Sequence, residues 1–253
     1  MKNLDIEGLE TRKEGDITFY SYDPTKFSNE GIALKKNMPV FYNPVQELNR
    51  SLSLLVFKVF LEQKNQKNID ENNKSIICDV MAASGIRSLR LRSFLPSSVH
   101  FLVNDIDPKA LDMIKANAEL NNANLENYFT FFNFDANFLF HKLRTENNRP
   151  DIIDIDPFGS PNLFIESAVN TINSEGLLAI TATDTAVFFG VRQQTCKKKY
   201  NTQPLHSTFL KEVGLRILLY FVAIRAHPFN KGIHPIMSLS FDHYVRLFIQ
   251  IKT

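Results

Sequence analysis

Between Ser75 and Thr183 the sequence passes five times from a short apolar segment to a polar corner, and this rhythm limits the fold more than any other feature. The segments are Ser75–Val80, Val99–Val103, Phe129–Phe134, Asp151–Ile155 and Leu177–Thr183. Helical patterns follow the first four, starting at Ile86, running from Pro108 to about Asn121, passing through Leu143, and running from Pro161 to Ile172. Strands that alternate with helices form a parallel sheet covered on both faces, so a doubly wound α/β sheet is expected. A basic loop, Arg192 to Tyr200, and a helix from about Ser207 to Arg225 come next. Two closing apolar runs, Ile236–Phe241 and Tyr244–Ile251, flank a tight turn and predict an antiparallel edge hairpin, which makes the sheet mixed.

Upstream of this rhythm, residues 1–43 read as an N-terminal extension with strand-like pieces around Ile17–Tyr20 and Ile32–Leu34. Phe41-Tyr42-Asn43-Pro44 leads into a helix, since Pro44 suits a first helical turn and disfavours helix at Asn43. Val45, Leu48, Leu52, Leu55, Val56, Val59 and Phe60 then recur at helical spacing as far as Glu62. The Asn- and Lys-rich stretch Gln63 to Lys74 reads as a loop. With 253 residues, the remainder, 44–253, is expected to be one large α/β domain.

Cys78 and Cys196 lie far apart, which supports neither a disulfide framework nor a zinc site, so no metal is expected and a reducing compartment fits. The first fifteen residues hold no apolar stretch of a secretory signal. The longest apolar run, Ile217 to Ile224, is eight residues, against the roughly 20 that span a bilayer. A soluble, intracellular protein without a membrane partner is the expectation: cytoplasmic, or nuclear in a eukaryote. Net charge is +2, but Ala186 to Thr253 holds ten Lys/Arg against two acids, so that stretch carries +8 and the rest −6. Such asymmetry fits one end that meets a polyanion, or else a solvated basic surface. Nothing in the sequence speaks to oligomeric state, and a monomer is the default expectation.

In open α/β sheets ligands sit beyond the carboxyl ends of the strands. Here those ends carry Ser84-Gly85, Asp105, Asp135 and Asp156. The first corner, Asp79 to Arg87, offers small residues and a helix N-terminus. Only Gly85 of a dinucleotide Gly-x-Gly-x-x-Gly pattern is present, so a smaller ligand with an adenosine and a carboxylate fits better than a pyrophosphate. Arg87, and Arg50 from the preceding helix, are candidates to pair with that carboxylate, with a surface salt bridge as the plainer role for Arg87. Asp105 is placed to accept ribose hydroxyls and Asp135 an adenine amino group, with Ala136 leaving room for the ring; each acid is alternatively a helix N-cap.

Asp154-Ile155-Asp156-Pro157-Phe158-Gly159-Ser160-Pro161 is the most specific element. Two prolines and a glycine pin the backbone directly after a buried strand. An exocyclic base amine is a poor nucleophile because its lone pair is delocalised. A carboxylate that accepts its N–H localises the pair and takes the proton. Asp156 suits this role, the carbonyl of Pro157 can share it, and Phe158 offers a flat face for the base, worth about 1–3 kcal/mol. Asp154 points to the opposite strand face. The plainer role for the whole segment is a rigid strand-to-helix corner.

With these residues assembled, the chain resembles the tRNA guanine N2-dimethyltransferase family, which acts at tRNA position 26, from about Phe41 to Thr253. The resemblance rests on Phe41-Tyr42-Asn43-Pro44 with Leu48-Asn49-Arg50, on Ala83-Ser84-Gly85-Ile86-Arg87, on Asn104-Asp105 and on Asp135-Ala136-Asn137. It continues through Asp156-Pro157-Phe158-Gly159-Ser160-Pro161, Thr181-Ala182-Thr183-Asp184, Glu212-Val213-Gly214-Leu215-Arg216-Ile217-Leu218 and Asp242-His243-Tyr244. It implies a class I Rossmann-like methyltransferase domain, and S-adenosyl-L-methionine held by Arg50, Arg87, Asp105, Asp135 and Ala136. It implies Asp156 as catalytic acceptor, Phe41 and Phe158 on either side of the guanine, and Thr183 shaping the base pocket. Without the resemblance, Phe41 reads equally well as a core aromatic under the first helix. Family members usually carry a further C-terminal domain that helps grip tRNA and is expected to be absent here. Arg192, Lys197 and Lys198 in the basic loop are then the best phosphate-binding surface. Lys211 stands where the family pattern has a histidine before Glu212. Rival readings are an adenine-N6 or another guanine-N2 methyltransferase, a catalytically silent RNA-binding fragment, and a nicotinamide-dependent oxidoreductase, the last disfavoured by the missing glycines.

Overall fold

The computed structural model of the protein describes residues 8–27, 38–67, 74–123 and 125–253. The strand expected around Ile32–Leu34 lies outside them. The chain falls into two compact units, Met1–Ala136 and Asn137–Thr253.

The first unit opens with a hairpin of β1 (Leu9–Glu14) and β2 (Ile17–Tyr22), paired antiparallel with Glu14 opposite Ile17. The turn is Gly15-Asp16, with Gly15 at φ 58°. A 3-10 turn, Pro44–Gln46, leads into α1 (Glu47–Lys67). Asn43 caps that turn, its side chain accepting from the Val45 N–H at 3.0 Å. Residues 63–67, expected as loop, continue α1, because Gln and Lys are good helix formers whose polarity says nothing against a solvated helix end.

β3 (Ser75–Asp79), α2 (Ile86–Phe94), β4 (Val99–Asn104), α3 (Pro108–Leu120), the short α4 (Leu125–Tyr128) and β5 (Phe129–Phe132) follow. β3 pairs parallel with β4, and β4 parallel with β5. β5 ends two residues before the expected Phe134, where Asn104 takes over the backbone. Its amide donates to the carbonyls of Val80 (2.9 Å) and Phe134 (3.0 Å), while its oxygen accepts from the Phe134 N–H. One buried side chain thereby ties together the carboxyl ends of three strands. Asn117 on α3 and Asn121 at its C-cap each bond both backbone groups of a β2 residue, Tyr20 and Thr18. Two amides four residues apart stand in for a neighbouring strand and fix the hairpin.

α5 (Ala136–Thr145) starts at the boundary, and the second unit then holds β6 (Ile152–Ile155), α6 (Ile165–Thr171), β7 (Leu177–Ala182), α7 (Thr185–Phe188), α8 (Gln193–Tyr200), α9 (Leu210–Ala226), β8 (Gly232–Phe241) and β9 (Tyr244–Lys252). β6 pairs parallel with β7, β9 antiparallel with β7, and β8 antiparallel with β9, which is the expected mixed arrangement with a closing hairpin. Asp154 faces inward, held by Arg246 of β9 at 2.9 and 2.7 Å, and Arg246 also donates to Thr181 at 2.8 Å.

In the second unit further elements differ from expectation. α6 begins at Ile165 rather than Pro161, because Pro161 to Phe164 close a turn through the Phe164 N–H and the Pro161 carbonyl. α9 begins at Leu210 rather than Ser207, whose carbonyl and hydroxyl accept from Leu210 and Phe209. The basic stretch Arg192 to Tyr200 is helix α8, not loop: Cys196 and Tyr200, four apart, bury one face while the lysines are solvated. β8 starts at Gly232, four residues early, and accommodates Pro235 through a register shift between Pro235 and Met237.

Candidate active site

In the first unit the corner after β3 is shaped by two left-handed residues, Ala83 (φ 48°) and Gly85 (φ 75°). A Cβ at Gly85 would meet the Ile114 side chain at 3.0 Å, so glycine is required there for close packing as well as for φ. Gly85 caps α2 without a side-chain hydrogen bond. The Ala83 N–H donates to Asp105 Oδ2 at 2.8 Å, and the Asp107 N–H donates to Asp105 Oδ1 at 2.9 Å. The cap of α3 is Asp107, which accepts from Lys109 at 2.9 Å, so Asp105 is not that helix's cap. Burial pushes the Asp105 carboxyl up, against the opposing backbone N–H bonds.

Arg87 is buried, not a surface residue, and its Nη1 donates to Asn49 Oδ1 (3.2 Å) and Ser53 Oγ (3.1 Å) on α1. Arg50 is also buried. Its Nε and Nη2 donate to the two oxygens of Glu14 at 2.7 and 2.6 Å, and its guanidinium lies 5.2 Å from the Tyr42 ring centroid. Arg90 donates to Glu14 at 2.6 Å, and the Tyr42 hydroxyl donates to Glu14 at 3.0 Å. Burial drives the Glu14 carboxyl up, but Arg50, Arg90 and Tyr42 outweigh it and hold the group below the ordinary range. Burial and the adjacent Glu14 push the Tyr42 phenol up to about 12. Phe41 is half-buried between buried Val40 and Tyr42. Asp135 is exposed and immediately precedes α5, and Ala136 is buried.

This donor set fits a small adenosine ligand with a carboxylate. Two buried guanidiniums share one carboxylate at Glu14, a second acid ends β4, and the corner between them is open-handed backbone without a glycine-rich phosphate loop. Sequence reasoning missed Glu14, although Gly15-Asp16 between strand-like residues is a hairpin signal that would have found β1.

In the second unit Asp156 is half-buried, Pro157 buried, and Phe158 58% exposed, its ring available for stacking. Gly159 (φ 83°) is stapled to Thr183 in both directions: its N–H donates to Thr183 Oγ1 at 2.8 Å and its carbonyl accepts from the Thr183 N–H at 3.0 Å. One residue on, Ser160 Oγ donates to Asp184 Oδ2 and accepts from Lys199 Nζ, which lies 3.4 Å from Asp184 Oδ2. Thr183 is therefore bonded to the corner that follows Asp156, while Ser160, Asp184 and Lys199 were missed as a group because nothing local links positions so far apart. Arg192, Lys197 and Lys198 are exposed at and along α8. Among the described residues no group of three His, Cys, Asp or Glu is arranged to hold a metal, and no helix is long and apolar enough to cross a membrane.

Residues 22–253 match the family described as N2,N2-dimethylguanosine tRNA methyltransferase. The chain belongs to that family. A member from Methanobrevibacter smithii, named tRNA (guanine(26)-N(2))-dimethyltransferase, is 38% identical over 251 residues, 98% of this chain and 59% of the relative. A Pyrobaculum aerophilum protein of the same name is 37% identical over 94% of this chain and 60% of its own length. The chain thus spans about 60% of the length of the curated dimethylguanosine methyltransferases it matches. Trm1 from Pyrococcus horikoshii, solved as a complex with S-adenosyl-L-methionine, superposes with a TM-score of 0.79 at 28% identity, covering 96% of this chain and 62% of that one. The expected doubly wound, mostly parallel methyltransferase fold is therefore the fold of this family member. Trm5b from Pyrococcus abyssi, 12% identical with a TM-score of 0.58, shares the fold alone. Glu14 lies outside the residues that match the family.

Proposed function

We propose that the chain transfers one or two methyl groups from S-adenosyl-L-methionine to the exocyclic N2 amine of guanine at position 26 of tRNA. The observation that carries this reading is the Asp156-Pro157-Phe158-Gly159 corner, stapled to Thr183, in a member of this family. Residues 44–253 act as the catalytic part, and 1–43 as an extension that brings Phe41 and Glu14. When bound, the cofactor supplies a methyl group on a positively charged sulfur, which departs as a neutral thioether. Arg87 and Arg50 are the groups for its carboxylate, Asp105 for its ribose hydroxyls, and Asp135 with Ala136 for its adenine.

Asp156 accepts the amine N–H, with the Pro157 carbonyl as a second acceptor. This localises the nitrogen lone pair toward the methyl carbon and receives the proton that nitrogen must lose. Phe158 offers a ring face to the guanine, and Phe41 is the residue for the other face. A second round needs the same carboxylate to reach the remaining N–H. Arg192, Lys197 and Lys198 present positive charge to the tRNA backbone. A tRNA substrate places the protein inside the cell, and nothing in the proposal requires a metal or a second subunit.

The test is transfer of labelled methyl to an unmodified tRNA transcript, with nucleoside analysis and a transcript bearing adenine at position 26 as control. Asp156→Ala is expected to lower transfer about 10²–10⁴-fold, the usual share of a general base, with S-adenosyl-L-methionine affinity unchanged. Loss of cofactor binding in that variant, or tight NAD binding by the unvaried chain, contradicts the reading.

A further inference from the structure

We propose that Lys199 is a positioning residue for the catalytic corner, and that through it the phosphate-facing helix α8 sets the geometry of Asp156 and Phe158. The inference rests on the proposed function and adds a residue to it. The corner is held at two successive points to the segment after β7. Gly159 is stapled to Thr183, and Ser160 lies between Asp184 and Lys199. The first staple is backbone and hydroxyl; the second depends on charge.

Asp184 is largely buried, and its Oδ1 has no hydrogen-bond partner, so Oδ2 carries its polar contacts, from the Ser160 hydroxyl and the Lys199 ammonium. A carboxylate in that position needs a cation, because an unpaired buried charge is costly. Lys199 supplies it and at the same time donates to Ser160, four residues after Asp156 and two after Phe158. Removing the ammonium leaves the Gly159–Thr183 staple intact but hangs the Ser160–Asp184 bond on an uncompensated acid.

The helix carrying Lys199 has two faces. Cys196 and Tyr200 are buried, with Lys199 turned to the corner, whereas Lys197 and Lys198 are exposed. A phosphate that engages the exposed face orders the same short helix whose inner face fixes the corner. RNA engagement and alignment of Asp156 then share one rigid element. Lys197 and Lys198 serve affinity, and Lys199 serves turnover.

The experiment compares Lys199→Met, Lys199→Arg and Lys198→Ala in methyl transfer to the tRNA transcript, together with hydrogen exchange of the backbone amides. Lys199→Met is expected to lower kcat about tenfold to a hundredfold, the scale of a small misplacement of a reacting group, with KM for tRNA and for cofactor unchanged. Lys199→Arg restores most of kcat, because it keeps a cation within reach of Asp184. Lys198→Ala raises KM for tRNA. In the Lys199→Met chain the amides of residues 158–160 exchange faster while β3, β4 and β6 keep their protection, which separates local loosening from unfolding. A rise in tRNA KM at constant kcat would make Lys199 a phosphate contact and overturn the proposal, as would unchanged exchange at residues 158–160. If the unvaried chain transfers no methyl, the proposed function fails, and the exchange measurement still decides whether Lys199 holds the corner.

Discussion

At the scale of single residues, Glu14 organises the most charge. Its two oxygens receive Arg50, Arg90 and Tyr42, all buried, so one carboxylate answers two guanidiniums. Buried pairs contribute modestly to net stability, but breaking one by removing a partner is expensive. Glu14→Gln is therefore expected to cost about 3–5 kcal/mol at neutral pH, read as a lower midpoint in urea. The folded carboxyl lies below its unfolded range, so its contribution is complete above the unfolded pKa and is lost as pH falls through the folded one. The gap between the unvaried chain and Glu14→Gln should close on acidification, and a gap independent of pH would mean that the carboxylate charge is not what stabilises. Glu14 was not legible in the sequence. Leu9 to Glu14 alternates charges rather than apolar residues, and a carboxylate at the end of a strand has no local sign that it will face three partners from elsewhere. Asp105 was legible, because a strand's carboxyl end is a position that the fold class itself defines.

At the scale of elements, periodicity served well where an element buries one face and poorly where tertiary contacts chose its ends. β6 reads as a strand because Ile152, Ile153 and Ile155 are apolar, yet the inward face of Asp154 makes sense only once β9 brings Arg246 to it. Arg246→Met is expected to cost about 3–5 kcal/mol, because Asp154 keeps its charge in the interior without that guanidinium, whereas Asp154→Leu combined with Arg246→Met should recover most of the loss. Urea denaturation of the single and double variants checks this, and a double variant no better than the single would show that packing, rather than charge, set the cost. α8 looked like a loop because six of its eight residues are polar or charged (Gln193, Gln194, Thr195, Lys197, Lys198 and Lys199), while the pair that buries it, Cys196 and Tyr200, is too sparse to register as a stripe. β8 was foreshortened by Pro235, which an edge strand tolerates at a bulge and a sequence reading takes as a breaker.

At the scale of the whole molecule, the groups proposed for the methyl donor belong to the first compact unit and Asp156 with its corner to the second. A ligand that binds the folded state stabilises it by mass action. S-adenosyl-L-methionine at a hundred times its Kd should add about 2.7 kcal/mol, read as an upward shift of the thermal midpoint. Asp105→Ala should abolish that shift and Asp156→Ala should keep it, because only the former removes a group assigned to the cofactor. A shift that disappears with Asp156 instead would move that residue into the cofactor site.

The sequence by itself determined the α/β class, the level at which chemistry-bearing residues emerge, and the family, because strand–helix alternation and strongly constrained corners such as Asp156-Pro157-Phe158-Gly159 are written in consecutive residues. Tertiary structure alone decided which charges answer one another: Glu14 with Arg50 and Arg90, Asp154 with Arg246, Asp184 with Lys199. The physical reason is range. Periodicity and backbone restriction act between neighbours along the chain, whereas the cost of burying an unpaired charge is settled by whichever residue folding brings within hydrogen-bond distance.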